Sequence, residues 1–350
     1  MTPVRVGLMA DPAAPSDLAR RMADLTPPDS EDRVNWDVEV VSEPFTLASE
    51  DVDDALERLD DHARRHGWDV VVGLTELPLH DSDGRYLLVD VDRRERRAVL
   101  SLPALGGLRM QRRARRAVGK LVHAMAGAEP GDDHRVPLSR FGGRWRLLSG
   151  MVLANRPWLL VPGLKSALVA ALATGAVATI NSTVWLLADS LSWWRLAVAT
   201  IASVALIVGW IIVDGELWDR PNDDTAEARE RSRLYNLSTI LTLTLGSLIC
   251  YVALYAVNLL WALFVLDPAV MGGYLNASMG YGDLFVLAWF IASAATVGGA
   301  LGTGVESDDA IRAAAYSKRE EDRRARLARE RTKETDRSTR TDRRPDGGSD

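Results

Sequence analysis

Four long apolar stretches dominate the second half of the chain and contain almost no charged residues. They run from Leu164 to Leu187, from Leu196 to Val213, from Leu237 to Leu260 and from Leu284 to Gly304. A helix needs about 20 apolar residues to cross a hydrocarbon core of about 30 Å. The pattern therefore predicts an all-α, four-helix transmembrane bundle over residues 164–305, and it excludes a wholly soluble enzyme.

The first 137 residues have a different pattern, in which short strands alternate with amphipathic helices. Val4, Val6 and Leu8 alternate with polar or small residues, which predicts a first strand. Apolar residues at helical spacing follow, then a second alternating segment around Val38, then an amphipathic helix from about Val52. Further strands are predicted at 68–74, 86–91 and 98–102, and a last helix at 108–126. This order predicts an α/β cytosolic domain over residues 1–137.

Two further segments flank the predicted bundle. In residues 138–163, Trp145, Leu148, Met151 and Val152 recur at helical spacing with arginines beside them. That spacing predicts an amphipathic helix in the membrane interface, with an ordinary linker as the alternative. Residues 306–350 form a charged cytosolic tail, for which we expect an exposed helix to about residue 331 and disorder beyond it.

The distribution of charge orients the chain. Residues 1–92 hold 22 acidic residues against 8 arginines, and residues 93–165 hold 16 basic residues against 4 acidic ones. Arg and Lys are concentrated before the first apolar stretch, between the second and third, and after the fourth, whereas the other two loops hold only Arg195. Because cytosolic loops carry the excess of Lys and Arg, both termini are predicted to be cytosolic.

Composition adds an expectation about the source and the compartment. Little Lys beside abundant Arg, Ala and Asp is typical of high-GC bacteria, so we expect a multi-pass protein of a bacterial inner membrane. The first ten residues form a predicted strand rather than a signal peptide. The single cysteine, Cys250, lies inside an apolar stretch, which excludes a secreted scaffold held by disulfides.

The last predicted helix of the N-terminal domain has one strongly basic side. At 100° per residue, Met110, Ala114 and Val118 share the apolar side. The opposite side carries five cations: Arg109, Arg112, Arg113, Arg116 and Lys120. Such a stripe is either a solvated face or a contact for anionic lipid headgroups. Nucleic acid is not expected, because no aromatic residues are interleaved for base stacking.

Three segments of this domain carry a resemblance to a known family. They read "DVVVGLTELPL", "RRAVLSLPALGG" and "RRAVGKLVHAMAG", a buried strand and a hairpin followed by a helix. Over residues 3–127 this layout resembles the archaemetzincin branch of the zincin metalloproteases, in which that helix carries an HExxH motif. Aligned on His123, the motif's glutamate is Ala124 and its second histidine is Gly127. One imidazole cannot hold zinc or activate its water, so the resemblance implies a zincin-like pseudoenzyme.

A second resemblance rests on the four-pass layout and on the segment "TELPLH" from Thr75 to His80. The chain is similar to a set of actinobacterial membrane proteins often labelled 5,10-methylenetetrahydrofolate dehydrogenase, an enzyme whose own segment reads "QLPLP". That enzyme has a dinucleotide-binding domain and a catalytic lysine in a Y-x-x-x-K setting. Here no G-x-G-x-x-G joins a strand to a helix in the N-terminal part, and no lysine has a tyrosine four residues before it. No cofactor is therefore predicted.

Three residues are the candidates for a ligand site. Glu76 and His80 follow a buried strand, in the kind of loop where α/β proteins place ligands, and His123 is the histidine left from the zincin motif. His62 and His66 have a spacing that suits a metal, but the residues between them supply neither a further ligand nor a base. Neither a metal site nor a catalytic residue is predicted.

Three functions fit these observations. The first is an integral inner-membrane protein whose non-catalytic cytosolic domain binds a ligand or an unknown protein partner, as a regulatory or scaffolding module. The second is a membrane-anchored enzyme, either a divergent hydrolase or a folate or nucleotide enzyme, with a polar pocket at the three candidate residues. The third is a small transporter or channel component with a polar path near Asn181 and Asn258. We favour the first. The predicted spans lack ionisable residues at mid-depth, which argues against the third.

Overall fold

The computed structural model describes residues 3–26, 35–46, 50–81, 84–127, 134–139, 142–221 and 225–302. The chain divides into two compact units, with the boundary at Ala154 and Asn155. This boundary falls within the segment 138–163 that the sequence sets apart as juxtamembrane. The predicted charged tail, residues 306–350, lies outside the described residues.

The N-terminal unit is built on a mixed sheet, which confirms the predicted α/β class. Its strands are β1 (Val4–Ala10), β2 (Trp36–Ser42), β3 (Val70–Thr75), β4 (Leu79–His80), β5 (Tyr86–Asp92), β6 (Arg97–Ser101) and β7 (His134–Pro137). The strand order is β2-β1-β3-β6-β5-β4, and β7 pairs with β5. The first four strands in this order are parallel, whereas β5 runs antiparallel to β6, β4 and β7.

Helices cover both faces of this sheet. They are α1 (Ala14–Arg20), α2 (Val52–His66) and α3 (Met110–Ala126), and the unit has a further helix, α4 (Gly142–Ala154). Residues of α1 and α3 share one apolar cluster with β1, β3 and β6, and residues of α2 share another with the opposite side of these strands. All six residues of β3 are buried, as a central parallel strand covered on both faces requires.

Local signals in the sequence set the limits of α2. The Asp51 side chain accepts a hydrogen bond from the backbone N–H of Asp53 at 2.9 Å and so caps the first turn. Gly67 ends the helix in the left-handed region, at φ 67°, where a residue without Cβ has no steric penalty. The chain then enters β3 through Trp68, whose ring lies against Gly7. A Cβ atom at Gly7 would be only 2.1 Å from that ring.

Helix α4 belongs to the N-terminal unit and packs on a 3-10 turn, Pro103–Leu105, that follows β6. Gly150 allows the close approach, because a Cβ there would lie 2.1 Å from the Pro103 carbonyl oxygen. The four apolar residues that the sequence predicts on one membrane-facing side of this helix do not share one environment. Leu148, Met151 and Val152 are buried, whereas Trp145 is 66% exposed.

The C-terminal unit is entirely helical in its described part. After a 3-10 turn, Pro157–Leu159, it consists of α5 (Leu160–Gly163), α6 (Lys165–Thr179), α7 (Ser182–Ser190), α8 (Trp193–Asp214), α9 (Ala226–Val265), α10 (Pro268–Leu275) and α11 (Tyr281–Gly302). Three helices, α8, α9 and α11, are long and apolar enough to cross a membrane. A fourth span is reached only if the bent helical pair 142–163 and 165–179 counts as one.

The first predicted span, Leu164 to Leu187, is not a single helix. It is divided between α6 and α7 at Asn181, whose side chain accepts a hydrogen bond from the Thr183 backbone N–H at 2.9 Å. An asparagine that caps a new helix competes with continuation of the previous one, so the apolar run contains a break. The apolar pattern predicts the length of the run but not this break.

The outer surface of the C-terminal unit is apolar, and its inner contacts involve small residues. Exposed side chains include Ile201 (70%), Val213 (78%) and Phe264 (85%). Apolar surface on this scale is typical of membrane or protein contacts. Inside the unit, small residues are buried along one side of α6: Ala167, Ala171, Gly175 and Thr179. Small residues at such spacing let membrane helices approach closely.

Candidate functional site

The sheet has a topological switch point between β1 and β3. From β1 the chain goes to β2 on one side, whereas β3 and the strands that follow it in the chain lie on the other side of β1. In open α/β sheets, ligands bind outside the carboxyl ends of two such neighbouring strands. Asp11 follows β1 and Glu76 follows β3, so both belong to this edge. This edge of the sheet is therefore the first candidate for a ligand site.

A network of buried hydroxyl groups surrounds Asp11. Its carboxylate accepts a hydrogen bond from Thr75 Oγ1 at 2.6 Å and is contacted by Thr46 Oγ1 at 3.0 and 3.2 Å. Ser16 Oγ donates to the Asp11 backbone carbonyl at 2.8 Å and lies 2.6 Å from Ser42 Oγ. Asp11 is 1% exposed and Thr75 is fully buried. The carboxylate at the switch point is thus buried and hydrogen-bonded within the chain.

Sequence reasoning missed Asp11 as a member of this edge. The local signal exists, because a carboxylate directly after the first strand of a parallel sheet is held at the carboxyl edge of that sheet. Its partners come from elsewhere, since Thr46 and Thr75 are 35 and 64 residues away in the chain. Only the strand order brings them together.

Glu76 and His80, predicted as candidates, lie in the segment after β3. Glu76 is partly exposed, and His80 belongs to β4. The backbone N–H of His80 donates to the Glu50 carbonyl at 3.0 Å, and its Nδ1 lies 3.1 Å from the Asp81 carbonyl oxygen. The contact with Glu50, together with a parallel bridge between His80 and Asp51, ties β4 to the start of α2.

His123, the third candidate, stands apart from the other two. It is exposed on α3, 13 residues after the first residue of that helix, which is about 20 Å along the helix axis. Within the described part of the chain, no hydrogen bond or ion pair joins His123 to Glu76 or His80, and no group of three or more His, Cys, Asp or Glu residues could hold a metal ion. The three candidates therefore form no common site in the described structure.

His62 and His66 on α2 have structural partners of their own. The imidazole of His62 lies 2.7 Å from the Arg58 carbonyl oxygen and 3.1 Å from a carboxylate oxygen of Glu43. The ring of His66 stacks on Trp68 with a centroid separation of 4.6 Å. The two side chains thus contact different partners, although they are one helical turn apart.

The five cations that the sequence predicts on one side of α3 are all exposed: Arg109, Arg112, Arg113, Arg116 and Lys120. Arg113 donates to the Leu105 carbonyl at 2.7 Å, and within the described chain none of the five forms an ion pair. Arg115, beside them, has a carboxylate partner 2.9 Å away in Asp24. The hydrogen bond and charge of Arg115 lower the pKa of Asp24 below its usual value. The basic stripe is thus unneutralised, whereas its neighbour is paired.

A cleft of about 390 Å³ lies between β7 and the start of α4. Its lining combines apolar and polar residues, with Arg146 as the charged member: Leu88, Val136, Pro137, Leu138, Ser139, Gly142, Gly143 and Arg146. The Nε–H of Arg146 donates to the Ala104 carbonyl at 2.9 Å, so this guanidinium also holds α4 against the 3-10 turn. The volume is within the range of small-ligand pockets, but the cleft contains none of the predicted site residues.

An ion cluster around the buried Asp90 fixes β7 against α2. Arg135 Nε lies 2.8 Å from Asp90 Oδ2, and the same guanidinium pairs with Asp53 at the start of α2. The Asp90 oxygen receives no hydrogen bond of good geometry, so the contact with Arg135 is ionic. Burial raises the pKa of Asp90 above its usual 3.8, against the opposing charge of Arg135.

Polar side chains in the C-terminal unit converge where three helices meet. Thr200 of α8 lies 3.0 Å from the Tyr251 hydroxyl of α9 and 3.3 Å from Ser293 Oγ of α11. The Trp289 indole N–H donates to Thr200 Oγ1 at 2.7 Å. Hydrogen bonds between helices stabilise packing inside a membrane, where water cannot substitute for them. This network fits a packing role.

The two asparagines named for a transport path lie in different settings. Asn258 is 2% exposed, and its side-chain N–H donates to the Leu254 carbonyl at 2.8 Å. Its carboxamide fills the space beside Gly175, where a Cβ would lie 2.1 Å from Asn258 Oδ1. Asn181 is exposed and caps α7. No described hydrogen bond links the two residues.

Comparison with known proteins gives no relative from which a function could be transferred. No protein-family model matches the chain, and neither a curated protein nor a solved structure matches it.

Proposed function

We propose that the chain is a multi-pass membrane protein whose N-terminal α/β unit binds a ligand or a protein partner at the membrane and has no catalytic role. The observation that carries this proposal is the Asp11 network. At the switch point, where an α/β enzyme would hold its substrate, the buried carboxylate is bonded by hydroxyl groups of Thr46 and Thr75. A surface module uses its outer faces and leaves such an interior network undisturbed.

Membrane insertion is supported by the three or four apolar helices of the C-terminal unit. Four passes would return the chain to its starting side, so that both termini lie in the cytosol. The excess of Arg and Lys around residues 140–165 and 220–233 supports this orientation. We place the protein in a bacterial inner membrane, with the N-terminal unit on the cytosolic side.

The N-terminal unit in this proposal is a zincin-like domain without a zinc site. The element order from β1 to α3, with a hairpin before the helix, is the order on which the resemblance rests. Ala124 and Gly127 occupy the positions of the family's glutamate and second histidine, and His123 is exposed. A His123→Ala variant is therefore expected to keep both the metal content and the melting temperature of the parent protein.

The test uses the full-length protein purified in detergent. Elemental analysis measures bound metal, and thermal unfolding is followed in the presence of zinc, nucleotides and reduced folates. A ligand that binds only the folded state raises the stability of that state. If the protein acts on a nucleotide or a folate, or holds zinc, its melting temperature should therefore rise with the concentration of that compound. We expect no stoichiometric metal and no shift. A reproducible shift with a folate or nucleotide, lost on substitution of Glu76 or His80 and accompanied by turnover of that compound, would instead establish the enzyme.

A further inference from the structure

The N-terminal unit presents an amphiphilic surface where α3 begins. We call it the α3–α4 patch and define it by six residues: Leu108, Arg109, Arg112, Arg116, Lys120 and Trp145. Arg112, Arg116 and Lys120 fall within an arc of about 80° on α3, from the 100° step per residue, and Arg109 directly precedes the helix. All four are exposed, and the described structure places no carboxylate in an ion pair with any of them. Their positive charge is therefore available to an outside partner.

Two large apolar side chains accompany these cations. Leu108 is 77% exposed and Trp145 is 66% exposed. Gly107, which precedes Leu108, packs on α4, because a Cβ there would lie 2.8 Å from the Ser149 carbonyl oxygen and 2.1 Å from the Leu153 side chain. Trp145 is one helical turn before Ser149. The start of α3 and the outer side of α4 thus form one surface.

Partly buried hydrogen bonds hold both parts of the patch to the same turn. The guanidinium of Arg113 donates to the Leu105 carbonyl at 2.7 Å, and that of Arg146 donates to the Ala104 carbonyl at 2.9 Å. Both carbonyls belong to the 3-10 turn between β6 and α3. Arg113 and Arg146 are consequently structural, whereas the described structure gives the patch residues beside them no comparable bonds.

We propose that the α3–α4 patch docks on an anionic lipid surface, with Leu108 and Trp145 inserted between headgroups and the four cations bound to phosphates. Charge complementarity and the two apolar side chains favour this partner. Tryptophan is enriched at membrane interfaces, and basic residues near a membrane are attracted by anionic lipid. The chain also continues from α4 at Ala154 into the apolar helical unit. Anionic lipid would then be the partner of the N-terminal binding module, so this proposal rests on the proposed function.

The experiment places an environment-sensitive fluorophore on Leu108→Cys in the full chain. Cys250→Ser provides the background, because Cys250 is the single cysteine. The protein is reconstituted in nanodiscs of phosphatidylcholine alone or with phosphatidylglycerol. We expect a blue-shifted emission, with quenching by spin-labelled lipid, in the anionic nanodiscs only. Salt at about 1 M should reduce the shift, since the screening length falls to about 3 Å.

Charge reversal tests the role of the cations. Arg112→Glu, Arg116→Glu and Lys120→Glu are combined, and Arg113 is kept because it binds the Leu105 carbonyl. This variant should lose the blue shift in anionic nanodiscs. A matched reversal of three other exposed arginines, Arg65, Arg94 and Arg96, should keep it. A fluorophore on Glu57→Cys, which is exposed on α2, should show no shift in any nanodisc.

Each remaining outcome overturns the inference. These outcomes are no shift in anionic nanodiscs, an equal shift in phosphatidylcholine alone, a shift that survives reversal of the patch, or a shift that is lost on reversal of the control arginines. The thermal melt of each variant is recorded first, and one that has unfolded is replaced by its Arg→Gln equivalent. Nanodiscs expose both membrane sides, so the result is independent of the orientation and of the ligand test in the proposed function.

Discussion

At the scale of single residues, the contact between Gly175 and Asn258 shows how little space separates α6 from α9. The Asn258 carboxamide lies where a side chain at position 175 would begin, with Oδ1 2.1 Å from the position of a Cβ atom. A larger residue on α6 must displace a buried amide that is 2% exposed. The pair therefore couples the two helices.

We expect Gly175→Ala to destabilise the protein by about 1–3 kcal/mol, the usual cost of overpacking a close contact. The double variant with Asn258→Ala should recover most of that loss, because it removes the displaced side chain. Gly209→Ala is the matched control, since nothing lies within 4 Å of a Cβ at that position. Thermal unfolding in detergent gives the comparison, and equal effects at positions 175 and 209 would show that the contact is absent.

A second residue-scale prediction concerns the pH dependence of Asp90. Burial raises the pKa of this carboxyl above 3.8, so the folded state binds the proton more tightly than the unfolded state. The stability that this group contributes is complete below pH 3.8 and is lost as the pH rises through the raised pKa. Asp90→Asn, which stays neutral, should therefore gain in stability relative to the parent as the pH rises from about 4 to about 7.

The measurement is the difference in melting temperature between the parent and Asp90→Asn across this pH range. Asp24→Asn is the control whose difference from the parent should stay nearly constant across this range, because the hydrogen bond and charge of Arg115 lower the pKa of Asp24. Stability from that group is present above pH 3.8 and is lost as the pH falls. If Asp90→Asn instead loses stability relative to the parent as the pH rises, the ion pair with Arg135 outweighs the burial of Asp90.

At the scale of elements, the sequence predicts most of the α/β unit. Alternation of apolar residues locates β1 and β2, and short apolar runs beside turn residues locate β3, β5 and β6. Helical spacing locates α2 and α3, because each of these helices buries one regular side. Strand β7 has no such signal. It is four residues long, and its pairing with β5 depends on a partner more than 40 residues earlier in the chain. His134, which begins it, is a loop residue by sequence pattern.

Contacts between candidate site residues are less predictable than elements, because they also depend on partners that are distant in the chain. Asp11 can be found from its place after β1, but the hydroxyl groups of Thr46 and Thr75 reach it only through the strand order. The opposite case is His123, which the zincin resemblance makes a candidate although its side chain is exposed. Local pattern identifies a residue's element, whereas a site depends on which elements become neighbours.

The length of α9 leads to a prediction about its environment. Its 40 residues span about 60 Å, twice the hydrocarbon thickness, so the arginine-rich first turns must stand in water. Arg233 and Leu248 are both exposed on this helix. In a Cys250→Ser background, Arg233→Cys should react with a membrane-impermeant maleimide, provided that the reagent reaches the cytosolic side.

Leu248→Cys should remain unlabelled in membranes and become labelled after denaturation. Its side chain is 45% exposed in the protein alone, so only lipid can shield it. The comparison separates burial by protein from burial by the bilayer. Equal labelling of the two cysteines in intact membranes would contradict the placement of α9 across the hydrocarbon core.

At the scale of the whole molecule, the chain consists of an α/β unit, acidic at its start and basic at its end, and an apolar helical unit. The charge distribution predicts the orientation, and the apolar runs predict how many passes the chain makes. The break at Asn181 shows why the number of passes is harder to predict than their positions. An apolar run shows that a segment prefers lipid, whereas a capping side chain within it decides where the helix ends.

The measurement that most directly tests the account is a pair of reporter fusions in bacterial cells. Alkaline phosphatase, which is active only outside the cytosol, is fused after Leu266 and after Arg220, and green fluorescent protein at the same two positions reports expression on the cytosolic side. Phosphatase activity after Leu266 with fluorescence after Arg220 is the predicted result. The reverse pattern would invert the orientation of α8 and α9 and, with four passes, would place the α/β unit and its basic patch outside the cell.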